Sequence, residues 1–87
     1  MRIDQLLNKL CLFKTRSMAK KACDLNLVYI NGKLAKASTI GKADDEVLYT
    51  VYDWQYTIKI VKVPQGNVSK VTASQYYELL NKKEKTI

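Results

Sequence analysis

The sequence of 87 residues predicts an α+β fold, in which two N-terminal helices pack on a small antiparallel β-sheet and a C-terminal helix follows. Three observations support this class: apolar residues at helical spacing near the N-terminus, an Asn-Gly dipeptide between two short β-prone runs, and strict alternation over 56–61. An apolar content of 47% is sufficient for a core. A chain of this length accommodates one such core.

The two predicted helices follow from spacing and capping. Ile3, Leu6, Leu7 and Leu10 recur at i, i+3, i+4 and i+7, the pattern of one buried helix face. Thr15 or Ser17 is suited to cap a second helix that runs to about residue 24, because side-chain hydroxyls accept hydrogen bonds from free N–H groups at a helix start. Its predicted buried face consists of Met18, Ala19, Ala22 and Cys23.

The predicted sheet begins with residues 27–30, a short β-prone run. Asn31 and Gly32 both tolerate positive φ, so they predict a type I′ turn from which residues 33–36 return as a second strand. Residues 41–45 are expected to form a turn, in which Asp44 and Asp45 serve as turn and solubility residues. Residues 47–52 predict a strand, and the alternation over 56–61 predicts another. Tyr49, Tyr52, Trp54 and Tyr56 are expected mainly to pack in the core, with base stacking as the alternative.

The C-terminal part, residues 64–87, is predicted to be an extension with one helix. Thr72 or Ser74 would cap that helix, which would run through Lys83 and direct Tyr76, Leu79 and Leu80 inward. Two further side chains, the thiols of Cys11 and Cys23, are expected to be reduced and buried, since two cysteines without any histidine do not make a four-ligand zinc site.

Positive charge is concentrated in the first half of the chain. Residues 1–42 contain 9 basic and 2 acidic side chains, whereas residues 43–87 contain 6 of each. A one-sided basic domain of this kind is expected to attract a polyanion, either nucleic acid or an anionic membrane surface. The alternative is that these side chains form an ordinary charged face in contact with solvent. For Lys33 and Lys36 of the hairpin, the alternative is that their charges deter aggregation at an edge strand. The candidate RNA-binding residues are Arg2, Lys9, Lys14, Arg16, Lys20, Lys21, Lys33 and Lys36.

The sequence offers little for catalysis or membrane insertion. It has no histidine, no glycine-rich phosphate loop and no cluster of metal ligands, so we expect neither an enzyme nor a cofactor or metal site. It also lacks a secretory signal and any run of about 20 apolar residues. We therefore expect a cytoplasmic protein. We also expect no membrane binding, because the apolar sides of both predicted helices are committed to the core and leave no hydrophobic face to insert.

Three short motifs lie along this predicted order of elements: R-x-D-x-x-L at residues 2–7, R-S-x-A at residues 16–19 and V-x-I-N-G at residues 28–32. With them, residues 1–63 resemble the S4-type RNA-binding domain, also called the αL motif. The resemblance implies RNA binding without catalysis, with Arg2 and Arg16 at RNA-contacting positions and Lys36 on the hairpin side. The pair Asp44-Asp45 departs from the Gly-Asp turn that is usual in the family.

The size of the chain and its C-terminal segment resemble in particular the small stand-alone S4 proteins of bacterial ribosome-associated quality control. This resemblance implies binding to the free large ribosomal subunit that carries an obstructed peptidyl-tRNA, with contacts to ribosomal RNA and to the tRNA. It further implies support of the alanine tailing of stalled chains by a partner factor. We expect the protein to be a monomer. The alternative within the family is a role in ribosome assembly or in heat-shock rescue of the large subunit.

Overall fold

The structure is a computed structural model and describes residues 1–84. It contains two helices and a five-stranded antiparallel sheet with the strand order β2-β1-β3-β4-β5, so the α+β class is confirmed. No helix in these residues has the length and apolar character needed to cross a membrane. The elements are α1 (Ile3–Lys9), α2 (Arg16–Asp24), β1 (Val28–Ile30), β2 (Lys33–Leu34), β3 (Glu46–Val51), β4 (Trp54–Ile60), a 3₁₀ turn (Ala73–Gln75) and β5 (Tyr77–Glu84).

Both helices lie where the sequence predicts them. Ile3, Leu6 and Leu7 of α1 are completely buried. The side chain of Thr15 caps α2 by accepting a hydrogen bond of 3.1 Å from the backbone N–H of Met18, which confirms one of the two predicted caps. Because α1 has only seven residues, it is too short to be stable by itself, and its packing against the sheet supplies the stabilisation.

The β1–β2 hairpin has the predicted turn, with Asn31 and Gly32 at φ values of 52° and 82°. The Asn31 side chain also fastens this turn to β3: its amide nitrogen donates to Asp45 Oδ1 at 3.0 Å, and its oxygen accepts from the Glu46 N–H at 2.9 Å. The Asp45 carboxylate, which is buried, accepts a second hydrogen bond from the backbone N–H of Lys42 through its Oδ2. Asp45 is therefore a structural turn residue, and the expectation that it serves solubility is wrong.

The predicted C-terminal helix is absent from residues 72–84, and this prediction is wrong. Residues 73–75 form a short 3₁₀ turn, after which β5 pairs with β4 from Tyr77, opposite Ile60, to Glu84, opposite Trp54. The edge of β4 carries backbone N–H and C=O groups that need partners, and pairing with β5 satisfies them. A local apolar pattern does not reveal this distant partner. Leu79 and Leu80, predicted to face inward, are largely exposed, and residues 85–87 lie outside the described residues.

The aromatic residues divide between core and surface. Tyr49 is buried between Phe13 and Tyr56, with ring centroids 5.6 Å and 5.2 Å away, so its predicted packing role is confirmed. Trp54 is partly exposed, and the ammonium group of Lys82 lies 4.6 Å from its ring centroid. Tyr52 is mostly exposed at the tight turn between β3 and β4, which contradicts its predicted place in the core.

The two thiols have opposite environments. Cys23 is buried in the face of α2 that packs on the core, as predicted. Cys11 is exposed and has a positive φ of 61°, because it follows the last turn of α1 where the chain reverses toward α2. Its predicted burial is wrong. Burial raises the pKa of the Cys23 thiol to about 11, and the Asp4 and Asp24 carboxylates add to the shift.

Replacing each cysteine by serine tests whether Cys23 is buried and Cys11 is exposed. Cys23→Ser is expected to lower the free energy of unfolding by about 1–3 kcal/mol, because a hydroxyl would be buried among apolar groups. Cys11→Ser serves as the control and is expected to change it by less than about 0.5 kcal/mol, because this side chain is exposed. Urea unfolding followed by circular dichroism measures both values. Equal losses of unfolding free energy in the two variants would contradict the burial of Cys23 and the exposure of Cys11.

The raised pKa of Cys23 also predicts a loss of stability at alkaline pH. The thiol ionises near 9.0 in the unfolded chain and near 11 in the folded protein, so the unfolded state releases its proton first. The free energy of unfolding should therefore be independent of this group below pH 9 and fall as the pH rises from 9 toward 11. Urea unfolding at pH 8, 9, 10 and 11 measures this fall, and in Cys23→Ala it should be smaller. An unchanged fall in Cys23→Ala would contradict the prediction.

Candidate RNA-binding surface

The loop between β2 and β3 is tied to the start of α1. The Ile3 N–H donates to the Thr39 carbonyl at 2.7 Å, and the Gly41 N–H donates to the Met1 carbonyl at 2.9 Å. Gly41 permits this close approach, because a Cβ atom there would lie 2.9 Å from a methyl carbon of Leu6. The connection brings Lys36, from the same loop, to the groove that Arg2 lines.

Asp4 holds the two arginines of the chain. Its side chain is only 2% exposed; its Oδ1 lies 3.3 Å from Arg2 Nε, and its Oδ2 lies 3.4 Å from Arg16 Nε. The backbone N–H of Gln5 donates a further hydrogen bond of 2.7 Å to Oδ1. A buried carboxylate needs such partners, since an unpaired charge in the interior is very unfavourable. The arginine side chains remain 44% and 47% exposed, so Asp4 orients them while leaving them available to solvent.

Two lysines extend this arrangement. Lys20 lies one helical turn after Arg16 on α2, and it lines an open groove together with Arg2 and Lys36. The Lys20 ammonium is 3.2 Å from the Asp24 carboxylate, an exposed pair that contributes little to stability. We call the surface formed by Arg2, Arg16, Lys20 and Lys36 the arginine surface. Four cations on one side of the molecule suit a run of phosphates, and a guanidinium fork suits bidentate phosphate contacts.

The other four candidate residues lie elsewhere. The ammonium group of Lys9 donates to the Gly66 carbonyl at 3.2 Å, which holds the C-terminal segment against α1. Lys14 lines a separate depression with Lys70. Lys21 lines a largely apolar cleft between α2 and β3, and Lys33 is exposed on β2. The structure therefore brings together half of the residues that the sequence singles out.

Asp4 is the residue of this surface that the sequence analysis does not single out as a site residue. From the sequence it suits only the favourable interaction of an acidic side chain with the positive end of a helix. An acid two residues after Arg2, within a segment where nearly every other charge is positive, is the feature that points to a partner. The pair between Asp4 and Arg16 is not evident from the sequence, because the two residues are twelve positions apart and meet only when α1 and α2 pack together.

This fold and this surface define a class of protein. Residues 1–47 match the family model described as the S4 domain, and the chain belongs to that family.

Among its relatives is the RQC P-site tRNA stabilizing factor of Halalkalibacterium halodurans, which is 37% identical over 87 residues, covering 100% of this chain and 96% of the relative. The protein of the same name from Streptococcus pneumoniae is 30% identical over 81 residues, covering 93% and 91%. The trimeric structure of Vibrio cholerae heat shock protein 15 superposes with a TM-score of 0.83 at 27% identity, covering 92% of this chain and 81% of that one.

Asp4→Asn tests whether arginine orientation or total charge governs RNA binding. The substitution raises the net charge from +7 to +8, so attraction by charge alone would strengthen binding. If Asp4 positions Arg2 and Arg16, binding should instead weaken several-fold, with a stability loss of about 1–3 kcal/mol. Filter binding to bacterial large ribosomal subunits measures the affinity, and thermal unfolding verifies the fold. Tighter binding by the folded variant would contradict the positioning role.

Proposed function

We propose that this protein is a non-catalytic RNA-binding factor that binds the large ribosomal subunit while it carries peptidyl-tRNA. In this proposal it contacts large-subunit ribosomal RNA and the tRNA, and it acts as a monomer in the cytoplasm during ribosome-associated quality control. The observation that carries the proposal is the pair of arginines held by the buried Asp4 carboxylate beside Lys20 and Lys36. Relatives that match nearly the whole chain and are named RQC P-site tRNA stabilizing factor supply the biological setting.

The binding mechanism follows from the chemistry of the surface. Lysine and arginine side chains displace counterions from RNA phosphates, which supplies affinity that depends strongly on salt. The groove is open, so it suits the shape and backbone of folded RNA better than the edges of single bases. The two guanidinium groups, fixed in direction by Asp4, would set the orientation of the protein on the RNA.

The role in quality control is passive in this proposal. By binding the subunit and the tRNA together, the protein would hold peptidyl-tRNA in place while a partner factor adds alanine residues to the stalled chain. Binding energy shared between two RNA molecules stabilises their mutual position without any chemical step. The protein therefore needs oriented cations and no catalytic group.

A second candidate function is a role in ribosome assembly or heat-shock rescue of the large subunit. The observation that favours it is the structural similarity to heat shock protein 15 of Vibrio cholerae. The two functions differ in the state of the subunit that is bound. Quality control requires peptidyl-tRNA on the subunit, whereas assembly or rescue does not.

Sedimentation through sucrose gradients distinguishes these functions. Tagged protein expressed in a bacterium is expected to migrate with free large subunits whose fractions contain peptidyl-tRNA, and to be released at high salt. With about five phosphate contacts, log K should fall against log salt with a slope of about −3 to −5. Migration with empty subunits would favour the second function. Absence from ribosomal fractions, or a slope near zero, would overturn the proposed binding.

Arg16→Ala should weaken this association, because it removes a half-exposed guanidinium from the arginine surface. We expect at least a several-fold loss of affinity for large subunits carrying peptidyl-tRNA and a less negative salt slope, with the fold retained. Lys59→Ala is the matched control, since Lys59 lies on β4 and approaches Asp44 instead. Equal binding by Arg16→Ala and the unaltered protein would remove Arg16 from the site.

A further inference from the structure

Lys70 belongs to the charge-neutral half of the sequence, yet the fold places it beside Lys14. Both side chains are exposed, and they line one shallow depression together with Asn8, Cys11 and Phe13. Within the part of the chain that the structure describes, no carboxylate lines this depression. Two ammonium groups without a compensating acid repel each other, and an anion between them relieves that repulsion.

The turn that carries Lys70 contains several hydrogen bonds of its own. The Ala73 N–H donates to the Ser69 carbonyl at 2.9 Å, and the hydroxyl groups of Ser69 and Thr72 lie 3.0 Å apart. Ala73 is buried and anchors the end of the turn. Farther back, the hydrogen bond from Lys9 to Gly66 holds the start of the same segment on α1. Lys70 is thus presented at a defined position on the helical side of the molecule.

The depression adjoins the arginine surface through the chain itself. Lys14 and Arg16 flank Thr15, whose backbone is extended with φ −135° and ψ 156°. Only one residue therefore separates the depression from the arginine surface along the chain. Residues 5–23 contain no acidic side chain, so the segment that joins Lys14 to Arg16 carries no negative charge of its own.

We infer that Lys14 and Lys70 form an additional phosphate-binding position that continues the arginine surface toward the C-terminal segment. This inference rests on the RNA-binding function proposed above. The ligand is a phosphodiester group of the same bound RNA, contacted by two ammonium groups as point charges. Lys9 is a positioning residue in this arrangement, since its ammonium group holds the segment that carries Lys70. The C-terminal segment therefore contributes to RNA binding in addition to completing the sheet.

The test compares Lys70→Gln and Lys14→Gln with Lys83→Gln, which removes an exposed lysine of β5 that lines neither surface. Binding to purified bacterial large ribosomal subunits carrying peptidyl-tRNA is measured by filter binding over a series of KCl concentrations. We expect Lys70→Gln and Lys14→Gln each to weaken binding several-fold and to reduce the salt slope by about 0.7–1, the value of one phosphate contact. Lys83→Gln should match the unaltered protein.

The same measurements show whether the Lys14–Lys70 position alone fails or whether the proposed RNA-binding function fails as well. If Arg16→Ala weakens binding while Lys70→Gln leaves both affinity and salt slope unchanged, the additional phosphate position is overturned and the arginine surface stands. Equal losses for Lys70→Gln and Lys83→Gln would likewise overturn it, because the effect would then be one of net charge. If Arg16→Ala is also without effect, the proposed function itself fails. Thermal unfolding of each variant verifies that binding losses do not come from unfolding.

Discussion

Burial of the apolar side of α1 is the constraint on which the rest of the structure depends. A seven-residue helix has too few hydrogen bonds to offset the cost of its nucleation, so it persists only while Ile3, Leu6 and Leu7 are covered. The sheet covers them from one side, and the β2–β3 loop is tied to the start of the helix by backbone hydrogen bonds. The helix in turn carries the buried Asp4 and begins next to Arg2, which is half-exposed at the molecular surface. The packing of the core and the placement of the arginine surface therefore depend on the same short element.

The arrangement around Asp4 illustrates why position matters more than the number of charges. Arginine on a flexible stem samples many rotamers, and fixing it on a phosphate costs conformational entropy. The buried carboxylate removes much of that freedom before any RNA arrives, since its two oxygens hold the Nε atoms of Arg2 and Arg16. Both arginine side chains nevertheless remain about half exposed to solvent, at 44% and 47%. An acid inside a basic surface can thus strengthen binding to an anion by preorganising the cations.

The C-terminal segment affects both the sheet and the charged surface, and its amino-acid composition predicts neither effect. β5 covers the edge of β4, where unpaired backbone groups would otherwise be exposed. The turn before β5 brings Lys70 close to Lys14. A lysine from the charge-neutral half of the sequence therefore lies on the same part of the surface as a lysine from the basic half. Half of the residues singled out from the sequence converge on the arginine surface, whereas Lys9 contacts the backbone of this segment. Grouping residues by sequence position alone therefore does not show which of them lie together on the surface.

The sequence by itself determined the features that depend on near neighbours. The apolar spacing of α1, the Thr15 cap, the Asn31-Gly32 turn and the alternation of β4 each involve residues within a few positions of one another, so local physics decides them. The tertiary structure decided the features that depend on distant partners. Residues 77–84 form a strand because β4 offers them backbone hydrogen bonds, Asp45 is buried because Asn31 reaches it, and Asp4 pairs with Arg16 because α1 and α2 pack. Such contacts join residues far apart in the chain, and no local pattern encodes them.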